Sequence, residues 1–127
     1  MIIYPSMVRG ARRQTIFVRL LAIAGTPMLG VLPTDIIMSV MRKRGPRTPF
    51  VLVPITNVNV FTLRGWAEVD AVACPGLYRL DLPNAIFVND GLSETVVVGL
   101  VSPLIQPVYL TIPLTDIDPS ATSVNEG

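Results

Sequence analysis

The sequence predicts an all-β domain, either a sandwich or a barrel, with about seven short strands. Twelve prolines and nine glycines are spread over 127 residues, which leaves little room for helices of ordinary length. Apolar and polar residues alternate in short runs between turn sequences, as in strands with one buried face. In the clearest run, Tyr78, Leu80 and Leu82 point to one side, and we expect them to be buried together with Val96 and Val98.

The candidate strands follow one another along most of the chain. They span residues 15–22, 35–42, 50–53 with a continuation over 55–60, 66–70, 77–82, 94–101 and 108–114. Their valine-rich and β-branched runs favour extended structure. Proline donates no hydrogen bond to a ladder, so we expect the last strand, which holds Pro113, at an edge or paired on only one side.

Turn sequences separate these strands. Residues 25–27 and 32–34 bracket the loop after the first strand, and residues 44–46 reverse the chain after the second. Pro75 and Gly76 lead into the clearest strand. Asn89-Asp90-Gly91 precedes the valine-rich strand, and both Asn and Gly tolerate positive φ.

The N-terminal region imitates a secretory signal, because basic residues precede an apolar run and Ala22-Ile23-Ala24 resembles a cleavage site. Arg19 interrupts that apolar run, which signal peptides avoid. A strand over 15–22 accounts for the same residues. We therefore expect no targeting segment.

The composition is unusually apolar. Hydrophobic residues make up 50% of the chain and the mean hydropathy is +0.57. Charged residues make up only 15%, against roughly 25% in ordinary domains. No run approaches the roughly 20 apolar residues of a membrane-spanning helix, so we expect no membrane partner. We expect instead a homo-oligomer that buries surface between subunits.

Residues that carry common chemistry are scarce. There is no histidine and Cys74 is the single cysteine, so we expect no enzyme, no cofactor and no metal. Cys74 fits a small buried apolar residue better than a nucleophile. Asp116 and Asp118, or Asn89 and Asp90, could offer oxygen ligands to calcium, but such acidic pairs are common in ordinary loops.

Two carboxylates, Glu68 and Asp70, lie two residues apart on one predicted strand. We interpret them as solvent-facing acids that pair across the ladder with Arg79 and Asp81 of the next strand. Trp66, the only tryptophan, fits a core or interface anchor better than a platform for sugar stacking.

The strongest electrostatic feature is a basic loop that we predict to be a partner-binding site. It consists of Arg42, Lys43, Arg44 and Arg47. The alternative is a solvated hairpin tip without a partner. Residues 1–50 hold eight basic residues and one acid, whereas residues 51–127 hold two basic residues and eight acids. If this asymmetry persists in space, it favours contact between subunits. Nucleic-acid binding is disfavoured, because no aromatic residue is interleaved with the basic cluster.

Residues 66–114 resemble a module of tailed-phage virion proteins, similar to the immunoglobulin-like β-sandwich domain of phage baseplate upper proteins. The matching segments are Glu68-Val69-Asp70, Pro75 to Pro83, Ala85-Ile86-Phe87, Asp90-Gly91, Thr95 to Val98 and Pro107 to Leu114. The resemblance implies an all-β fold, an immunoglobulin-like or jelly-roll-like β-sandwich of about seven strands. It also implies a location in a virion and brings no catalytic residues.

We therefore expect residues 1–127 to form a single domain with a flexible C-terminal tail at about 116–127. The expected function is that of a non-enzymatic structural protein of a phage virion, a capsid decoration or cement protein whose partners are other virion proteins. The alternative is a tail, baseplate or fibre adaptor. A carbohydrate-binding accessory module is a third, less favoured class, since aromatic residues are few.

Overall fold

A computed structural model describes residues 2–3, 7–8, 10–42, 46–88 and 95–115. It confirms the predicted fold class, because the described chain forms two β-sheets packed over a common core. The predicted C-terminal tail, 116–127, lies outside the described residues.

The described residues form ten strand segments and two 3₁₀ turns. The strands are β1 (Ile2–Ile3), β2 (Met7–Val8), β3 (Thr15–Arg19), β4 (Ile37–Arg42), β5 (Thr48–Phe50), β6 (Val53–Pro54), β7 (Gly65–Asp70), β8 (Cys74–Asp81), β9 (Thr95–Val101) and β10 (Val108–Thr115), and the 3₁₀ turns are Pro33–Asp35 and Asn84–Phe87. If β1 and β2 are counted together as one strand, and β5 and β6 as another, the described residues form eight strands. The additional strand is the one formed by β1 and β2, where the residues show no alternating pattern.

The strand order is that of an immunoglobulin-like sandwich. The larger sheet has the order β1-β10-β9-β4-β5, with β2 also on β10, and the smaller sheet has the order β3-β8-β7-β6. Strands β1 and β2 run parallel to β10, and β6 runs parallel to β7, whereas the other ladders are antiparallel. In this order β4, β9 and β10 take the places of strands C, F and G, and β3, β8 and β7 those of B, E and D.

Two local predictions about strands are wrong. Strand β10 has neighbours on both sides, because β1 pairs with Leu110 and Thr111 and β2 pairs with Leu114 and Thr115. Pro113 falls between these two short ladders, so its missing N–H breaks neither. The predicted continuation over 55–60 is a loop rather than a strand.

The strand β8 also starts earlier than predicted. Gly76 lies within the strand and not in a turn before it. Its φ is +82°, and a Cβ at this position would lie 3.0 Å from the Leu20 carbonyl oxygen. Glycine is therefore required where β8 passes beside the end of β3.

The core lies between the two sheets and contains the residues that alternation predicted. Tyr78, Leu80, Leu82, Val96 and Val98 are all fully buried. The Trp66 ring stacks on the Tyr78 ring with centroids 5.0 Å apart, which confirms Trp66 as a core anchor. Stacked aromatic pairs of this kind stabilise a core beyond the area that they bury.

Hydrogen bonds from this aromatic pair hold the long β3–β4 loop against the core. The Trp66 Nε1–H donates to the Val31 carbonyl at 3.0 Å, and the Tyr78 hydroxyl donates to the Met28 carbonyl at 2.8 Å. The Val31 N–H in turn donates to the Tyr78 hydroxyl oxygen at 3.1 Å. The polar atoms of both rings are thus satisfied by backbone, as buried polar groups require.

The helical content of the described residues is limited to the two 3₁₀ turns. Within this described part, no helix is both long enough and apolar enough to cross a bilayer.

Candidate functional site

The predicted basic site lies at the hairpin between β4 and β5, at one edge of the larger sheet. Arg42 is the last residue of β4 and Arg47 directly precedes β5. Lys43 and Arg44 lie outside the described residues. The structure therefore tests the geometry of the site only at its two ends.

The two described arginines lie on opposite faces of the hairpin. Arg42 lies opposite Val96 in the β4–β9 ladder, so it shares the inward face, and it is half-buried. Arg47 is exposed, and its Nε–H donates to the hydroxyl oxygen of Ser39, an outward-facing residue, at 2.5 Å. Of the two described arginines, Arg47 is thus the exposed one, whereas the strand alternation directs Arg42 inward.

Apolar grooves flank the edge strand β5 on both sides. One is a pocket of about 220 Å³ that Arg42 lines together with Val40, Phe50 and Ile86. The other, of about 340 Å³, is lined by Arg47 and by the apolar residues Ile37, Pro49, Phe50, Val51 and Leu52, among others. Each of the two described arginines therefore lines a groove that is otherwise mostly apolar.

A broader surface lies beside Arg47, on the outer side of the larger sheet. We call it the neutral face. Its outward-facing residues are Ile37, Ser39 and Met41 of β4, Thr95, Val97, Gly99 and Val101 of β9, and Tyr109, Thr111, Pro113 and Thr115 of β10. None of these residues carries a charge. Outer faces of antiparallel sheets are usually polar, so this face is unusual for a surface in contact with water.

The centre of the neutral face is an aromatic ring laid over a glycine. Pro49, Ser39, Gly99 and Tyr109 lie opposite one another in a row across four strands. A Cβ on Gly99 would lie 2.9 Å from Tyr109 Cε1 and 3.1 Å from its Cδ1, so the ring rests directly on the backbone of β9. Tyr109 is 43% exposed. The result is a flat aromatic centre, an arrangement known to support glycine within a sheet.

The outer side of the smaller sheet differs, because the chain covers part of it, around Arg79 and Asp81, with its own loop. We call it the covered face. Arg79 of β8 pairs with Asp81 two residues later through Nε–Oδ1 and Nη2–Oδ2 contacts of 2.9 and 2.8 Å. The Arg79 guanidinium also donates to the Val58 and Val60 carbonyls. The Thr62 N–H donates to Asp81 Oδ2 at 2.9 Å, which ties the β6–β7 loop to the sheet.

The Asp81 carboxylate is fully buried and remains ionised. Burial alone would raise the pKa of Asp81, but hydrogen bonds from Arg79, from the Thr62 N–H and from the Thr15 hydroxyl outweigh it and hold this pKa below its usual range. The hydrogen bond to Asp81 raises the pKa of Arg79. The Arg79–Asp81 pair therefore has a structural role, and both oxygens of the Asp81 carboxylate accept hydrogen bonds.

The predicted pairing of Glu68 and Asp70 with Arg79 and Asp81 is wrong. The Glu68 carboxylate accepts a hydrogen bond from the Gly30 N–H at 3.2 Å, and its Oε2 lies 3.4 Å from the Tyr78 hydroxyl oxygen, which donates its proton to the Met28 carbonyl. Asp70 accepts the N–H groups of Val72 and Ala73, each at 2.9 Å, and these bonds lower its pKa. A β-bulge between Glu68 and Asp70 separates their directions, so they do not form a carboxylate pair.

The remaining candidate sites add little to these surfaces. Cys74 is free and half-buried at the start of β8, so it is less enclosed than predicted. Across the described ranges no group of three or more acids and cysteines is placed to hold a metal ion. The candidate calcium ligands, Asn89, Asp90, Asp116 and Asp118, lie outside the described residues.

The neutral face is the surface that the sequence analysis missed. Its residues come from strands that are distant in sequence, so their contiguity depends on the register between β4, β9 and β10. One signal was available, since the outward positions of the predicted strand 94–101 include Val97, Gly99 and Val101 and no charge. Sequence alone gave no reason to place Ile37 and Tyr109 beside them.

Comparisons with known proteins were made at the level of families, sequences and folds. No protein-family model, curated protein or solved structure matches the chain.

Proposed function

We propose that this chain is a non-enzymatic structural protein of a phage virion, a capsid decoration or cement protein that stabilises the shell through protein contacts. The observation that carries this proposal is the neutral face. A continuous outer sheet surface without a charged residue is typical of surfaces that other proteins cover. The resemblance of residues 66–114 to phage virion modules supports a location in a virion, whereas a fold alone does not indicate a function.

The basic hairpin gives the proposed protein a second contact surface, directed at the particle. Arg47 is exposed at the sheet edge beside an apolar groove, and Lys43 and Arg44 follow Arg42 in the same loop. An acidic surface on a shell protein would attract these residues and orient the incoming subunit. Because exposed charges are screened over about 8 Å at physiological ionic strength, we expect this attachment to weaken with salt.

The alternative within the same setting is a tail, baseplate or fibre adaptor, which the resemblance to baseplate upper proteins favours. A carbohydrate-binding module receives less support. Sugar stacking needs an exposed aromatic platform, and Trp66 does not supply one, because its side chain is 2% exposed and stacked on Tyr78 inside the core. Among the described residues the exposed rings are Tyr109 and Phe17, which are single aromatic residues on opposite sheets.

The copy number of the chain in purified particles tests its location. Quantitative mass spectrometry against the major shell protein should find hundreds of copies per particle if the chain decorates the capsid. A handful or some dozens would assign it to the tail instead. Absence from purified particles would overturn the virion proposal altogether.

The Arg47→Ser substitution tests the role of the basic hairpin. We expect Arg47→Ser to lower occupancy on particles depleted of the chain, and the triple Lys43, Arg44 and Arg47 to Ser variant to lower it further. Arg19→Ser, which removes an exposed arginine from β3 in the other sheet, is the matched control and should bind as wild type does. If Arg47→Ser and Arg19→Ser occupy particles equally across a salt series, the hairpin is a solvated tip without a partner.

A further inference from the structure

One side of the sandwich is closed by a single segment that forms an edge strand of both sheets. Strand β5 ends the order of the larger sheet and β6 ends that of the smaller sheet, and only Val51 and Leu52 separate them. Leu52 is buried in the core, whereas Val51 is 73% exposed. We call residues 48–54 the edge segment. Among the described residues no strand pairs with its outer side.

The edge segment has the composition of a sequence that pairs readily with other strands. Residues 50–53 are Phe-Val-Leu-Val, a run of high β propensity, and no residue of the edge segment carries a charge. Exposed edges of natural sheets are usually protected by charged side chains, by proline or by an irregularity of the strand. Protection by charge is absent from the edge segment, so another feature must protect it.

Pro54 protects the part of the edge segment that belongs to the smaller sheet. The N–H groups of Val53 and Ile55 both donate toward β7, to the Arg64 and Trp66 carbonyls at 3.0 and 3.1 Å. Because successive residues of a strand direct their N–H groups to opposite sides, an N–H at position 54 would point to the open edge. Pro54 has no N–H, and it is exposed. An added strand would therefore find no donor there.

Pro49 protects the part of the edge segment that belongs to the larger sheet. It is the central residue of β5, it is exposed, and it lies opposite Ser39 of β4. In an antiparallel ladder, opposite residues alternate between pairs that exchange two hydrogen bonds and pairs that exchange none. Proline cannot exchange both bonds, so the pair Ser39–Pro49 belongs at a non-bonded position. The nitrogen of Pro49 then faces the open edge.

Pro113 supports this register. It lies opposite Thr95 in the β9–β10 ladder and has no N–H either, so that pair also belongs at a non-bonded position. Alternation then gives Gly99, four residues along β9, a non-bonded position toward β10 and a bonded pair with Ser39 on its other side. This leaves Ser39 at a non-bonded position opposite Pro49. The two prolines therefore fit the same register across four strands.

We propose that Pro49 and Pro54 are gatekeeper residues, which prevent the edge segment from pairing with a strand of a second copy of this chain. Each proline removes the donor that its strand would direct at an added strand, and together they bracket the apolar run 50–53. This inference goes beyond the proposed function and does not depend on it, since it concerns a contact that the folded chain avoids.

The variants Pro49→Thr and Pro54→Thr restore an N–H at each edge position and keep the edge segment uncharged. Because neither N–H competes with an existing ladder bond, we expect both variants to fold with the circular dichroism spectrum of wild type. Light scattering during incubation should show association about tenfold faster than in wild type, and faster still in the double variant. The matched control is Pro103→Thr, which makes the same change at an exposed position in the turn after β9 and should behave as wild type does.

Hydrogen exchange distinguishes strand addition from aggregation of unfolded chains. In the associated form of Pro54→Thr, the new amide at position 54 should be protected, because it donates to the added strand, whereas in dilute dispersed protein it should exchange freely. The proposal is overturned if Pro49→Thr and Pro54→Thr associate no faster than Pro103→Thr, or if the new amide stays unprotected in the associated form.

Discussion

The outer faces of the two sheets differ in how far the chain itself shields them from water. On the covered face, the chain lays its β6–β7 loop over the smaller sheet and fastens it to Arg79 and Asp81. On the neutral face, the larger sheet presents valine, methionine and tyrosine side chains without a charge. The difference teaches that the loop on the smaller sheet is held by buried polar contacts, whereas the outer face of the larger sheet has no ion to remove from water.

Buried charge makes the two faces differ in the free energy needed to open or cover them. Two ions removed from water cost several kcal/mol each unless they stay paired and hydrogen-bonded. Asp81 satisfies this condition through Arg79 and Thr15 of the sheet and through the Thr62 N–H of the loop. The neutral face has no ion to desolvate, so covering and uncovering it changes mainly apolar area.

The largest expected loss of unfolding free energy comes from a substitution on the covered face. Replacing Asp81 with Ala leaves the Arg79 guanidinium, 15% exposed, without its carboxylate and should cost about 3 kcal/mol of unfolding free energy, near the lower end for a broken buried pair. Urea denaturation measures the change. Asp70→Ala is the comparison, since it removes an exposed carboxylate that accepts two N–H groups. Equal losses in both variants would contradict the special role of the pair.

Acidification of the wild-type protein should lower its unfolding free energy by a smaller amount. The pKa of Asp81 is lower in the folded state than the roughly 3.9 of an unfolded chain. Its stabilisation is therefore complete above that unfolded value and is lost as pH falls through the folded value. Asp70, whose folded pKa is also lowered, contributes in the same direction. Unfolding free energies between pH 7 and pH 3 should fall less steeply for Asp81→Asn than for wild type. Parallel slopes would mean that Asp81 is not the titrating group.

The smallest expected effect is on the neutral face. Ile37→Thr keeps a β-branched residue on β4 and removes exposed apolar surface, since Ile37 is 55% exposed. At concentrations where the chain is monomeric, its unfolding free energy should change by less than about 0.5 kcal/mol, as for most exposed substitutions. Thermal denaturation of dilute protein checks this. A loss above about 1 kcal/mol would show that the chain itself packs against this face.

Alternation along single strands predicted the core well, because a strand with one buried face has an apolar residue at every second position. Tyr78, Leu80 and Leu82 are inward and buried as expected, and so are Val96 and Val98. Features set by contacts between distant segments were not predicted. Arg79 pairs within its own strand and not across the ladder, since the loop donor at Thr62 completes the shell around Asp81.

The candidate site was predicted in part. The β4–β5 reversal and the exposure of Arg47 follow from the turn sequence around Pro46, whereas the inward direction of Arg42 follows from its register with Val96. The neutral face depends on three strands from both halves of the chain. Its members become neighbours only through the order β10-β9-β4, which no local pattern encodes.

The contact between Gly99 and Tyr109 has a consequence for how this sequence can diverge. With the ring in its present position, a Cβ at position 99 would lie 2.9 Å from Tyr109 Cε1, so any residue other than glycine requires the tyrosine ring to move away from β9. Loss of the ring would lift that restriction and would also leave a flexible glycine unsupported in a central strand. Substitutions at the two positions should therefore be inherited together, with glycine kept while the aromatic residue is kept and a β-branched residue favoured once it is gone.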